Sequence, residues 1–332
     1  MNESFLLYGS RGVGKTAIVL SYLNKLEPKQ WLYIDCQDPI FALEDIDVAT
    51  LDIFVLENKI TTVVLDHYYD GFLERLPKVQ NIIIVSRDSS VIDLKKRFAL
   101  YPLDYEEFLS FGKASTSNFN NFLKAGTLPM VATVDLHAVS LEMRKFFYSE
   151  FDEDESRLML ILARHQGQRI TTHQIYKYAK ESFRISKDWV YKTIKKFSDE
   201  KLIIFVKDRL NKGAKKMFLY DFALSKYLSK SQSFGATFDA LVVLAMLKHT
   251  IDFEALGIHG YIIKDRELVV PAAFENEDSF WKRAYGKIPL YKRYKIKRVT
   301  VVSVSNSYKF ELGGIEFEAI PFYEWSIINE EY

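Results

Sequence analysis

The chain has 332 residues, 48% hydrophobic and 15% aromatic, with a net charge of +1. That is more apolar matter than one compact core accommodates, so two or three domains are expected. Scarce Gly (14) and Pro (8) and the single cysteine, Cys36, exclude a disordered chain, a disulfide scaffold and a cysteine-based metal centre.

No apolar run approaches the roughly 18 residues of a membrane span, and the opening Met-Asn-Glu-Ser is no secretory leader. A cytoplasmic protein without membrane contact is expected. Phe5-Leu6-Leu7-Tyr8 predicts a strand that runs into a glycine loop, and Thr16 to Lys25 predicts a helix. Trp31–Ile34, Thr62–Leu65 and Asn81–Val85 predict three more strands. Their continuous apolar runs suit a parallel sheet covered on both faces, so the fold class is α/β, doubly wound. Leu103 to Glu150 reads as helical, broken by Gly126 and Pro129, and Asp152 to Glu155 supplies acids suited to a helix N-terminus. Helices at 156–166, 171–181 and 187–200 precede apolar stretches at 202–206 and 217–220, with a turn at Asn211-Lys212-Gly213 between them. That order predicts a winged helix. A helix from Phe238 to Lys248 and strands at 260–264, 267–273, 299–304, 307–312 and 315–320 complete the chain. The expected domains are residues 1–150, 151–230 and 231–332.

Gly9-Ser10-Arg11-Gly12-Val13-Gly14-Lys15-Thr16 matches G-x-x-x-x-G-K-[ST], between a strand and a helix as that motif requires. Glycines free backbone N–H groups to turn toward phosphate oxygens, and the helix N-terminus adds positive dipole. Lys15 is expected on the β- and γ-phosphates of ATP, and Thr16 on Mg²⁺. Asp66, ending the apolar run Val63-Val64-Leu65, is expected to hold Mg²⁺ from a neighbouring strand. His67 follows, where a water-polarising glutamate is usual. It is either a proton acceptor or a hydrogen-bonded loop residue, so any hydrolysis is expected to be slow. Ser86 sits where a polar group can sense the γ-phosphate. Arg87 and Arg97 are phosphate candidates beside the ordinary reading of solvent ion pairs.

Taken with Lys96-Arg97-Phe98 and Tyr101-Pro102-Leu103-Asp104-Tyr105-Glu106-Glu107-Phe108, these runs resemble the AAA+/STAND-type ATPases of archaea and bacteria. Leu123 to Pro129 is similar to that family's Gly-Gly-x-Pro lid element, and Lys215 to Asp221 to the strand ending its winged-helix domain. The resemblance implies a helical lid after the P-loop sheet and a C-terminal restriction-endonuclease-like domain. An active nuclease of that kind carries an acid on one strand and Glu-x-Lys on the next. Here Pro271 and Ala273 stand at the corresponding positions of Glu267 to Ala273. Asp265, Glu267, Glu275, Glu277 and Asp278 read as turns and helix ends, so an inactive nuclease-like domain is expected.

Positive charge is concentrated in the C-terminal half. Eleven Lys and Arg face four acids between Arg184 and Lys216. Lys187, Lys192, Lys195 and Lys196 fall on the polar side of the third helix, and Lys207, Arg209, Lys212, Lys215 and Lys216 on the wing. These cations fit double-stranded DNA, or else a solvated face or a surface for protein partners. Lys282 to Arg298 holds eight cations and no acid, interleaved with Trp281, Tyr285, Tyr291 and Tyr294. Charge and stacking there suit single strands, although the aromatics are expected to complete a core. Two functional readings follow: an ATP switch coupled to DNA, and a nucleotide-regulated scaffold for a protein partner or a homo-oligomer.

Overall fold

Alternation of apolar runs with helices produces a parallel sheet in which successive side chains enter opposite layers. The computed structural model describes residues 4–111, 118–211, 213–230, 233–249, 251–263 and 266–328. They form two compact units, the first comprising Met1–Pro102 with Asp199–Leu202, the second Leu103–Ser198 with Ile203–Tyr332.

The first unit contains β1 (Phe5–Gly9), α1 (Lys15–Leu23), β2 (Trp31–Asp35), α2 (Val48–Glu57), β3 (Thr62–Asp66), β4 (Asn81–Ser86) and β5 (Lys96–Leu100). All five strands are parallel, in the order β2-β3-β4-β1-β5. Leu6, Val63, Leu65, Ile82 and Ile84 pack on one face with Val48, Leu51 and Val55 of α2. Leu7, Val64, Ile83 and Val85 pack on the other with Val19 and Leu23 of α1. Each side chain so buried contributes about 1.5–3 kcal/mol. β4 separates β1 from β3, so the carboxyl ends of all three strands converge on the glycine loop. That is the fold of a P-loop domain.

Several elements lie outside the sequence expectations, among them α2, β5, the later strands at 169–170 and 253–255, and the helices at 224–228 and 322–328. β5 is an edge strand, and its exposed Lys96 and Arg97 break the apolar run that signals a buried strand. Charge on an edge also blocks unwanted pairing.

The second unit begins with α3 (Tyr105–Phe111), α4 (Phe119–Ala125), α5 (Pro129–Ala132) and α6 (Leu136–Glu150). There follow α7 (Glu153–Arg164), β6 (Arg169–Ile170), α8 (Thr172–Ser182), α9 (Lys187–Asp199), β7 (Ile203–Val206) and β8 (Lys215–Leu219). Asp152 caps α7 by accepting from the Glu155 amide, as its acidic start anticipates. β6, β8 and β7 form a three-stranded antiparallel sheet. Residues 220–328 carry α10 (Leu224–Leu228), α11 (Phe234–Lys248), β9 (Phe253–Ala255), β10 (Tyr261–Ile263), β11 (Glu267–Pro271), α12 (Glu277–Tyr285) and α13 (Ile288–Arg293). β12 (Arg298–Ser303), β13 (Tyr308–Leu312), β14 (Ile315–Pro321) and α14 (Phe322–Ile328) close the unit. The six strands run β13-β14-β12-β11-β10-β9, with β11, β12 and β14 mutually parallel.

The Gly126-Thr127 turn is held from a distance in sequence. The Thr127 amide and hydroxyl both donate to Asp221 Oδ2 at 2.5 Å, in a fully buried setting. Gly126 has φ +93°, and a Cβ there would meet Asp221 Oδ2 at 2.7 Å. Glycine is therefore required twice over, by conformation and by space.

The expectation that the aromatics of 281–294 all complete a core needs correction. Tyr291 is buried and Tyr294 packs against the same core, but Trp281 is 40% and Tyr285 65% exposed. α12 buries Phe280 and Ala284. Residues 281 and 285 are each one position on, turned about 100° from that face.

Candidate nucleotide site

The loop leaves β1 at Gly9, and α1 starts at Lys15. Gly12 (φ +74°) and Gly14 (φ +92°) adopt left-handed backbone that other residues resist. Gly9 is constrained differently. A Cβ there would lie 2.2 Å from the Leu100 carbonyl oxygen of β5, so the neighbouring strand demands glycine at the strand end. Val13 anchors the loop in the core.

Lys15 folds back over the loop, its ammonium donating to the carbonyls of Gly9 (2.9 Å) and Ser10 (2.8 Å). Thr16 Oγ1 donates to Asp66 Oδ2 at 2.7 Å, which brings together the two groups expected at the metal. Asp66 is fully buried and also accepts from Tyr33 Oη at 2.7 Å and from the His67 amide at 2.8 Å. Burial and the Asp66 bond push the Tyr33 phenol well above its ordinary pKa, so it stays a donor. Burial, reinforced by Asp35 and Asp66, lifts the Cys36 thiol to about 12, which leaves it an inert core group.

His67 has φ +53°, an uncommon conformation for a residue with a side chain. Its Nδ1 lies 2.9 Å from Asp35 Oδ1, at the carboxyl end of β2. With Nδ1–H donated to the carboxylate, Nε2 is the nitrogen that accepts. Asp35 and Tyr33 are absent from the sequence expectations. The signal for Asp35 is the one that marks Asp66: an acid immediately after an apolar parallel strand.

Ser10 and Arg11 both direct their side chains to Glu200. Ser10 Oγ donates to the Glu200 carbonyl (2.9 Å), and buried Arg11 pairs through Nε with Glu200 Oε2 (3.0 Å). Nothing local in the sequence marks Glu200, which is 189 positions from Arg11. Ser86 is buried with its hydroxyl donated to the Tyr68 carbonyl at 2.9 Å. Arg87 follows it, half-buried. Arg97 stands opposite Leu6 on β5. It is three residues from the Gly9 level, about 10 Å along the strand, so the structure does not bring it to the loop.

No family model matches this chain. An uncharacterised protein of Methanocaldococcus jannaschii, MJ1544, is 22% identical over 398 aligned positions, covering 98% of this chain and 88% of that protein. Among solved structures, the Walker-type ATPase PABY2304 of Pyrococcus abyssi is similar at 13% identity and a TM-score of 0.45, covering 68% of this chain and 90% of its own. A chain of the Drosophila ORC structure with AT-rich DNA and Cdc6 is similar at 14% identity and a TM-score of 0.20, covering 68% and 84%. The functional reading therefore rests on the loop and its neighbours.

Of the cations expected at DNA, Lys187, Lys192, Lys195 and Lys215 are exposed. Lys196 pairs with Glu155 at 2.7 Å, and Lys216 with Asp239 at 2.6 Å. Lys207 is exposed and Arg209 pairs with Glu254. Lys212 and Asp265 lie outside the described residues. Among the described residues, no three His, Cys, Asp or Glu side chains gather to hold a metal, and no helix is long and apolar enough to cross a membrane.

Proposed function

We propose that this chain binds ATP with Mg²⁺ on the Gly9–Thr16 loop and hydrolyses it slowly, as a switch coupled to double-stranded DNA. The 2.7 Å contact between Thr16 Oγ1 and Asp66 Oδ2 carries the reading. A hydroxyl and a carboxylate are hard oxygen donors of the kind Mg²⁺ selects, so the residues fit the ion. When bound, Mg²⁺ supplies charge neutralisation to the phosphate oxygens. Lys15 exchanges its two carbonyl acceptors for the β- and γ-phosphates, and the amides of residues 10–16 cradle them. His67 Nε2, oriented through Nδ1 by Asp35, takes a proton from the attacking water. An imidazole in place of a carboxylate makes that step slow.

DNA coupling is read from the segment α7 to β8, whose helix–strand–helix–helix–hairpin order is that of a winged helix. Lys187, Lys192, Lys195 and Lys215 present its charge to duplex phosphates. Filter binding of duplex DNA with and without ATP, across a salt series, tests this. Salt-independent or absent retention would remove the DNA function.

The engagement of Lys196 and Lys216 by acids of the same chain favours a second reading, a nucleotide-regulated scaffold for a protein partner or homo-oligomer. Size-exclusion chromatography with ATP, with ADP and with neither separates the two. A nucleotide-dependent change in assembly without DNA binding supports the scaffold.

A further inference from the structure

We propose that the exposed face of α12 and the turn after it form a binding site for single-stranded DNA, separate from the helices expected to meet duplex. Trp281 and Tyr285 sit one helical turn apart with ring centroids 5.5 Å apart and planes inclined by 23°. They form a stacked pair in which Trp281 is 40% and Tyr285 65% exposed. Such a pair offers a flat π-surface to an unpaired base.

Cations follow the pair along the chain, while Glu277 and Asp278 precede it in the first turn of α12. After Asp278 no acid occurs until Glu311, while Lys282, Arg283, Lys287, Lys292, Arg293, Lys295, Lys297 and Arg298 intervene. Arg283 pairs with Glu275 and Arg298 with Glu316. Lys282 and Lys292 are exposed beside them, and Lys287 half-exposed. A separate group registers the field. Burial, then Lys287, Arg283 and Arg169, hold the His259 imidazole below its ordinary pKa. Arg169 belongs to β6, so cations from two parts of the second unit converge there.

Duplex DNA keeps its bases stacked inside and cannot use the aromatic pair. A single strand uses both features, bases on the rings and phosphates on the lysines. DNA is the occupant proposed, with RNA as an outcome of the test.

The test is fluorescence anisotropy of the full chain with labelled oligothymidylate of roughly 20 nucleotides, a matched duplex and oligouridylate, across a salt series. Single-stranded DNA should bind with affinity falling as salt rises. Trp281→Ala with Tyr285→Ala should weaken it roughly tenfold or more at each salt concentration. Trp281→Phe with Tyr285→Phe should restore it, which separates stacking from folding. Lys282→Gln with Lys287→Gln should flatten the salt slope by about 0.7 per lost phosphate contact. Equal affinity for the matched duplex, tighter binding of oligouridylate, or full affinity in the double-alanine variant would overturn the assignment.

Discussion

His67 Nδ1 and Asp35 Oδ1 lie 2.9 Å apart, at the carboxyl ends of adjacent parallel strands β3 and β2. Nδ1 also lies 3.9 Å from Asp66 Oδ1, so the imidazole stands next to Asp66, where a glutamate is usual. If His67 accepts the water proton, His67→Ala should lower kcat for phosphate release about a hundredfold, the low end for a general base. Asp35→Asn should cost about tenfold with KM unchanged, because it misorients the ring and leaves nucleotide contacts alone. A His67→Ala rate equal to wild type would reduce the histidine to a loop residue.

Lys15 and Asp66 should separate phosphate affinity from metal dependence. Removing the Lys15 ammonium deletes charged hydrogen bonds to phosphate and should weaken ATP binding by about 2 kcal/mol, roughly thirtyfold. Asp66→Asn should leave binding in EDTA near wild type and abolish the gain on adding Mg²⁺. Isothermal calorimetry with and without the metal reads both. Metal-dependent tightening in Asp66→Asn would place the ion elsewhere.

Glu200 holds a buried cation on the loop. Arg11 is 2% exposed, so truncating Glu200 removes a counter-charge from a cation held away from water. Glu200→Ala should destabilise the first unit by about 3 kcal/mol. Glu200→Gln, which keeps an acceptor, should cost less. Urea unfolding followed by far-UV circular dichroism measures both, and alanine and wild-type curves that superimpose would show the ion pair to be idle.

Gly126→Ala should destabilise the second unit by about 2–4 kcal/mol, since it combines φ +93° with a Cβ 2.7 Å from Asp221. Thr127→Val should also destabilise, by stripping one donor from a buried carboxylate. Thermal melts give the ranking. A neutral Gly126→Ala would mean that the turn relaxes freely.

Local pattern made a large part of the first unit legible. Glycine spacing marks Gly9 to Thr16, and apolar runs mark β1 to β4, because a strand buried on both faces must be continuously apolar. Asp66 was visible by the same logic, as the first charge after such a run. β5 was not, because an edge strand has one side in water and tolerates Lys96 and Arg97. The division of 281–294 into core Tyr291 and exposed Trp281 and Tyr285 was also hidden, since composition does not set helical phase against a sheet.

By itself, the sequence determined what neighbouring residues do to one another: where the backbone turns, which runs seek a core, and where a glycine loop joins a strand to a helix. Tertiary structure alone decided which distant groups meet. Asp35 reaches His67 across 32 positions, Asp221 reaches Thr127 across 94, and Glu200 reaches Arg11 across 189. Such contacts depend on strand order and chain return, which no local periodicity encodes, while the free energy of a buried ion pair or hydrogen bond depends on distance in space and exclusion of water.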